Sequence, residues 1–276
     1  MDQIQKAMVF RELHEAEGTF VIPNPWDAGS ARILESLGFS ALATTSAGLA
    51  FSLARPDGEN AVSRDEILEN AAAIVKTSRL PVSADLEGGF GPTPRICAET
   101  IVMAARAGLV GGSIEDATGN ADDPVYSLEA AAERIQAAAE AARSLPFPFM
   151  LTARAENYLH GRTNLGDTIR RLQAFQEAGA NVLFAPGLRT AEEIRSITSS
   201  VDRPVNVIMG LQGVSLTVQE LSALGVKRIS LGSSLARAAF GGFLRAAMEV
   251  REKGSFDFSR EATPFKTLNA LFAGKD

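Results

Sequence analysis

Apolar residues in this chain gather in short runs, and each run is followed by a longer, alanine-rich stretch with apolar positions at helical spacing. Eight strand-like runs stand out: Thr19–Asn24, Ala41–Thr45, Val82–Leu86, Val110–Glu115, Met150–Arg154, Val182–Ala185, Val205–Ile208 and Arg228–Leu231. Helical patterns lie between them at Ala28–Leu37, Arg64–Thr77, Pro94–Ala107, Leu128–Ser144, Leu165–Glu177, Ala191–Ser199 and Thr217–Leu224. Several of these helices stop alike, at Leu37-Gly38-Phe39, Ala107-Gly108-Leu109, Ala178-Gly179-Ala180 and Leu224-Gly225-Val226. Glycine tolerates the left-handed conformation that closes a helix.

Alternating strands and helices predict a parallel sheet in an α/β protein. Eight units in 276 residues predict a closed (β/α)8 TIM barrel rather than an open doubly wound sheet. No linker or composition shift divides the chain, so residues 1–276 are expected to form a single barrel domain. An extra C-terminal helix is expected over Ser233–Arg251, with Gly241 and Gly242 near its middle. It packs either on its own barrel or on a second subunit.

A hydrophobic fraction of 46% supplies a large core, and a net charge of −6 argues against nucleic acid or an anionic membrane as partner. It leaves room for a small anion in a locally positive pocket. The single cysteine, Cys97, permits no internal disulfide and no zinc spacing, which fits a reducing, cytoplasmic setting. Met1–Glu15 is polar and mixed in charge, unlike a signal peptide, and no apolar run is long enough to span a bilayer. Neither GxGxxG after the first strand nor GxxxxGK[ST] is present, which weakens nucleotide-binding readings.

In such barrels the C-terminal ends of the strands carry the chemistry. Strand 1 ends in Asn24-Pro25-Trp26-Asp27 and strand 2 runs into Thr44-Thr45-Ser46-Ala47-Gly48. Strand 3 ends in Asp85-Leu86-Glu87-Gly88-Gly89-Phe90-Gly91, strand 4 in Glu115-Asp116, and strand 5 in Arg154 with Glu156 two residues on; strand 7 carries Asn206. Asp85, Glu87 and Glu115 are expected to converge at the mouth, where three carboxylates need a cation or protons between them. Hard oxygen ligands without nearby histidine suit Mg2+ or Mn2+; alternatively the acids pair with Arg154 or cap helices. Arg154 suits two-point grip of a carboxylate or phosphonate, or an internal salt bridge to Glu115 or Glu156. Thr45–Gly48 reads as a nest for a carboxylate or as an ordinary turn. His14 is expected at the surface and His160 on a solvated loop.

Seven of these segments, in this order, resemble the isocitrate lyase/phosphoenolpyruvate mutase superfamily: Asn24–Ala28, Thr44–Gly48, Arg55–Gly58, Asp85-x-Glu87-x-Gly89-x-Gly91, Ile114–Asp116, Thr152–Arg154 and Ser230–Gly232. The resemblance runs from about Phe20 to Arg251. It implies a barrel that binds Mg2+ or Mn2+ and makes or breaks C–C or P–C bonds beside a 2-oxo acid. It also implies a homo-oligomer, dimer or tetramer, that exchanges the helix after strand 8. By resemblance Asp85 is the direct metal ligand, and Asp57, Glu87 and Glu115 reach the metal through water. Thr45, Ser46, Ala47 and Gly48 form the carboxylate cradle, and Arg154 holds the substrate's oxygens. The catalytic residues are expected to be Arg154, Glu115 and Asp57, with Trp26, Asp85 and Asn206 also against the substrate.

The chain departs from the family's pattern chiefly at one loop, and in a smaller way at Glu87, where the family usually has aspartate and a water-bridged carboxylate tolerates one more methylene. Lyases carry Lys-Lys-Cys-Gly-His after strand 4; here Ala117–Pro124 is short, without cysteine or histidine, and offers only Asn120 to match the gating asparagine of the mutases. The expected function is therefore a metal-dependent C–C lyase for a small 2-oxo acid, such as an oxaloacetate decarboxylase, which needs little acid–base help beyond the metal. The alternatives are phosphonomutase or phosphonopyruvate hydrolase chemistry, or a barrel that binds a 2-oxo acid without turning it over. Tyr158, His160 or water could donate the proton. A Schiff-base aldolase fits poorly, because Lys227 precedes strand 8 instead of following it. A phosphate-ester barrel would use Gly210 and Gly232-Ser233-Ser234.

Overall fold

The computed structural model describes residues 1–58 and 61–274. After helix α1 (Gln3–Glu15) come β1 (Phe20–Ile22), α2 (Ala28–Ser36), β2 (Leu42–Ala43), α3 (Ser46–Ser52), α4 (Arg64–Thr77), β3 (Val82–Asp85) and α5 (Pro94–Arg106). Next follow β4 (Gly111–Glu115), α6 (Leu128–Arg143), β5 (Met150–Arg154), α7 (Leu165–Glu177), β6 (Val182–Phe184) and α8 (Ala191–Thr198). The chain continues through β7 (Val205–Ile208), α9 (Val218–Ala223), β8 (Arg228–Ser230), α10 (Ser234–Lys253) and α11 (Phe265–Phe272).

The eight strands form one parallel sheet in the order β1-β8-β7-β6-β5-β4-β3-β2, the (β/α)8 barrel that the alternating pattern predicts. The seam between β1 and β2 closes through one backbone bond, Ala43 N to Pro23 O at 3.1 Å, and through Asn24. The Asn24 amide donates to Thr44 O at 3.1 Å and accepts from Leu231 N and Gly232 N at 2.8 and 2.9 Å. One buried side chain thus ties three strand ends together. Helix starts follow local chemistry: Ser63–Glu66, Thr190–Glu193 and Thr217–Glu220 are capping boxes at α4, α8 and α9.

Helix α1 closes the opposite, N-terminal end of the barrel. Its Ala7 and Phe10 are fully buried against Ile22, Ala41, Val110, Met150 and Val182. A side chain at Gly111 would come within 2.8 Å of the Phe10 ring, so β4 needs glycine where the helix plugs the floor.

His14, expected at the surface, is buried instead. Its ring packs edge-on against Phe10 and Phe20, and its Nδ1 lies 2.7 Å from Phe10 O. That leaves Nε2 to accept from Arg228, 3.2 Å away. Burial, and then the Arg228 charge, push the His14 pKa down to about 3. Arg228 is itself buried. It donates to Asn206 Oδ1 at 2.8 Å and Thr152 Oγ1 at 2.9 Å, and has no carboxylate partner among the described residues. Burial lowers its pKa to about 9. The sequence hid this arrangement because a mixed-charge segment gives no sign of which face it buries.

Helix α10 forms as expected, but only Ala236 along it is buried. Phe243 is 70% exposed and Leu244 58%, while Phe265 beyond them is 83% exposed. The helix therefore does not pack on its own barrel over most of its length. No helix among the described residues is long and apolar enough to cross a membrane.

Candidate active site

The C-terminal ends of β3, β4 and β5 place three charged side chains side by side: Asp85, Glu115 and Arg154. Glu115 and Arg154 are register partners, which sets their side chains on the same face of the sheet. The Arg154 guanidinium stands 2.7 Å from Asp85 Oδ1, 2.8 Å from Glu115 Oε2 and 2.8 Å from Glu156 Oε1. Burial would lower the Arg154 pKa, but these three carboxylates outweigh it and raise it.

Asp85 is fixed on all sides. Its second oxygen accepts from Ser46 Oγ at 2.8 Å, and its backbone N donates to Thr44 Oγ1 at 3.1 Å. Ser46 opens helix α3, for which Thr45 is the N-cap, accepting from Gly48 N at 3.2 Å. The Thr45–Gly48 segment is therefore the first turn of a short helix, tied to the end of β3 by the Ser46–Asp85 hydrogen bond. Gly48 is a packing requirement: a side chain there would come within 2.9 Å of Trp26 Cβ.

Glu87 follows in a tight turn with positive φ at Glu87 (45°), Gly89 (77°) and Phe90 (63°). A left-handed glutamate and phenylalanine within four residues are a strained backbone of the kind that clusters at functional sites. Glu87 N donates to Asp85 Oδ1 at 3.2 Å and Glu87 O accepts from Glu115 N at 3.0 Å, so the turn is locked to both strands.

A cavity of about 950 Å³ opens over the barrel mouth; Asp85, Ala47 and Gly48 do not line it, and Asp85 meets it through its partners Ser46 and Arg154. Ser46, Asp57, Glu87, Glu115, Arg154 and Glu156 contribute its polar wall, and Val62, Phe90 and Ile96 an apolar one. Negative charge exceeds positive at the bottom. Burial first, then the neighbouring charges of Asp85 and Asp57, raise the Glu87 pKa to about 7. Burial and the Glu156, Asp85 and Glu87 charges raise Glu115 well above the carboxylate range, against the pull of Arg154. Asp57 belongs to an exposed loop, but its carboxyl faces the cavity, where desolvation and the Asp85 charge raise it as well.

An all-oxygen donor set whose members repel one another fits a hard divalent cation. Among the described residues no three acids yet stand close enough to hold a metal ion. Arg154 fills the space between Asp85, Glu115 and Glu156, so a cation would have to share or displace it.

Other expected site residues lie elsewhere. Asn206 is buried inside the barrel; its amide accepts from Arg228 and donates to Ser230 Oγ at 3.0 Å, and it does not line the cavity. Trp26 and the helix-capping Thr45 are likewise set back from the cavity wall. Asn120 is spent on its own loop, accepting from Asp122 N at 3.0 Å. That loop is a small hairpin, with an antiparallel bridge between Ala117 and Val125, and it offers Ala117, Thr118 and Gly119 to the cavity. His160 is solvated, as expected, yet stands on the cavity rim. Tyr158 is turned to Glu193, 3.3 Å away. The sequence underrated Glu156, although its position two residues past Arg154 hinted at a shared direction. Tyr126, also in the wall, carried no sequence signal.

The family model for phosphoenolpyruvate phosphomutase matches residues 10–251. A lyase/mutase-type protein from Burkholderia cenocepacia J2315 is 58% identical, with a TM-score of 0.97 over 99% of this chain and 98% of that one. An oxaloacetate acetylhydrolase solved with its product oxalate is 25% identical, with a TM-score of 0.88 over 99% and 96% of the two chains. An oxaloacetate decarboxylase from Marinomonas sp. is 28% identical over 96% of this chain and 94% of its own length.

Proposed function

We propose that this chain, which belongs to the phosphoenolpyruvate phosphomutase family, is a divalent-metal-dependent lyase for a small 2-oxo acid, with oxaloacetate as the leading substrate. The observation that carries this reading is the Arg154 guanidinium set among Asp85, Glu115 and Glu156 at the barrel mouth, a cationic grip inside an excess of carboxylate. Asp85 would hold Mg2+ or Mn2+, with Asp57, Glu87 and Glu115 around it. When bound, the metal supplies Lewis acidity to the 2-oxo acid's carboxylate and keto oxygens.

The chain's own groups do the rest. Arg154 takes the substrate's remaining oxygens in bidentate fashion once it is released from its internal partners. Ser46 Oγ, in the cavity wall, would meet the substrate's carboxylate end. Val62, Phe90 and Ile96 keep water from the reacting carbons. In oxaloacetate the bond between C3 and C4 breaks, CO2 leaves, and the electron pair stays on the three-carbon fragment, which takes a proton at C3. His160 on the rim, or water, delivers that proton. Loss of CO2 needs no acid at the leaving group, which suits a strand-4 loop without cysteine or histidine. The relatives named for oxaloacetate support this choice. The family's description favours a second reading, cleavage of a P–C bond in a phosphonate 2-oxo acid.

The working form is proposed to be a homo-oligomer in which a second copy covers the apolar face of α10. Metal-stripped protein melted against pyruvate, oxaloacetate, 2-oxoglutarate, phosphonopyruvate and methylisocitrate, with and without Mg2+ or Mn2+, tests the site. Stabilisation by a 2-oxo acid only with metal, and pyruvate release from oxaloacetate, are expected. Stabilisation and phosphate release only with phosphonopyruvate would move the assignment to P–C chemistry. Binding without turnover would make the barrel a sensor.

A further inference from the structure

Arg134 belongs to α6, outside the cavity, and no motif singles it out, yet it is among the largest fully buried side chains of the chain. Among the described residues it has no carboxylate partner. Its Nη1 donates to Gly91 O at 2.6 Å, and its Nη2 donates to Gly88 O. Its guanidinium lies over the Tyr126 ring, 4.3 Å from the centroid, and its Nε is buried without a partner. A buried cation held only by neutral groups is costly. What it holds is the left-handed turn that presents Glu87 to the cavity.

Four carbonyls of that turn have donors. Glu87 O takes Glu115 N at 3.0 Å, and Gly89 O takes Thr100 Oγ1 at 2.9 Å. Gly88 O and Gly91 O both fall to Arg134. One planar fork therefore spans the turn; among the described residues no other side chain donates a nitrogen to it, and the Cys97 thiol reaches Gly88 O only at 3.9 Å. A flexible ammonium could reach one carbonyl but lacks the fixed two-pronged geometry. The stacked Tyr126 belongs to the segment after β4, next to the Ala117–Pro124 loop, so the same guanidinium connects the strand-3 and strand-4 sides of the cavity.

The geometry points to Arg134 as a positioning residue that sets the Glu87 turn and thereby the site's affinity for a divalent cation. The inference deepens the metal-dependent reading and rests on it for its cation, but the clamp on the turn stands on contacts alone. Such supporting groups typically change metal affinity 10- to 100-fold when replaced.

The test uses full-length Arg134→Lys and Arg134→Met proteins with two readouts. Mn2+ binding by electron paramagnetic resonance is expected to weaken roughly tenfold or more in Arg134→Met, with partial recovery in Arg134→Lys. Amide hydrogen exchange at residues 87–91 is expected to quicken in both, while the β5–β8 core stays as protected as in the wild type. Unchanged exchange at 87–91 would overturn the clamp. Quickened exchange with unchanged Mn2+ affinity would overturn its link to the cation. A wild type that binds no Mn2+ would sink the metal-dependent reading, whereas the exchange arm would still decide the clamp. If Arg134→Met does not fold, Arg134→Lys, which keeps the charge and most of the volume, carries both readouts.

Discussion

Arg154 Nη1 stands 2.7 Å from Asp85 Oδ1, an oxygen of the carboxylate proposed to hold the metal. On the proposed function, arginine and cation would compete in the ligand-free protein and cooperate once a 2-oxo acid arrives, because the acid would give the guanidinium new oxygens to hold. Arg154→Gln is expected to tighten Mn2+ binding in the absence of substrate. It should also lower oxaloacetate turnover by about 10²-fold or more, in line with losing one preorganised charge at a reacting centre. Mn2+ titration and pyruvate release check the two halves. Weaker Mn2+ binding in this variant would show that Arg154 organises the carboxylates and does not compete with the ion.

The left-handed Glu87 turn predicts a trade between stability and function. Glu87→Gly removes the strain of a non-glycine residue at φ 45° and one of the mutually repelling carboxylates. A gain of about 1 kcal/mol, or a few degrees in Tm, is expected together with loss of metal-dependent turnover. Calorimetry and the oxaloacetate assay read it out. A lower Tm would mean that the turn depends on the glutamate side chain.

Glu87 also predicts how the site responds to pH. Its pKa of about 7 lies above the ordinary 4.5, so the group is neutral in mildly acidic solution and charged above neutrality. A cation binds the charged form. Mn2+ affinity should fall as pH drops below about 7, and Glu87→Gln should flatten that slope between pH 6 and 8 (roughly one unit on either side of the midpoint). An unchanged slope in the variant would assign the proton elsewhere.

Acid stability is predicted from the other end of the barrel. The folded His14 pKa of about 3 lies below its ordinary 6.5, so the unfolded chain binds a proton that the folded chain excludes. The stabilisation is complete above pH 6.5 and drains away toward pH 3, at most ~1.4 kcal/mol per pH unit. His14→Gln, which can still accept from Arg228, should lose less stability over that window. Denaturant midpoints from pH 7 to pH 4 measure it, and parallel curves for the two proteins would remove His14 as the cause.

The apolar face of α10 predicts assembly. Phe243→Glu places a charge where the wild type exposes an aromatic ring. Light scattering is expected to find an oligomer for the wild type and a smaller species for the variant, with barrel circular dichroism intact. A wild-type monomer at micromolar concentration would leave α10 without the proposed partner.

Much of this molecule was legible in its sequence. The eight strand runs and the glycine stops between units predict the barrel, because burial on both faces forces parallel strands to be apolar throughout. The site was legible in residue type but less so in direction. Asp85, Glu115 and Arg154 end their strands and meet, as strand-end polar residues do. Asn24 and Asn206 look similar in sequence, yet one fastens the β1–β2 seam and the other faces Arg228 inside the barrel. A strand's period of two says which face a residue takes, but not how deep along the barrel axis it lies. Helix α1 was missed for a related reason. Its buried face includes Lys6 and His14, polar residues that only their partners Ser78 O and Arg228 make admissible.

The floor of the barrel also constrains the order of events during synthesis. His14 meets Arg228 across 214 positions of sequence, and Lys227 Nζ reaches back to Gly18 O at 2.8 Å. While the ribosome is still making the middle of the chain, α1 has neither its arginine nor its last strand to seat against. Its apolar side, Ala7 and Phe10, must therefore wait or find temporary shelter until Met150 and Val182 have cleared the exit tunnel, and His14 must wait longer, until Arg228 has. A chain stalled before that point would present this helix to chaperones and proteases, however well the strands before the stall had paired.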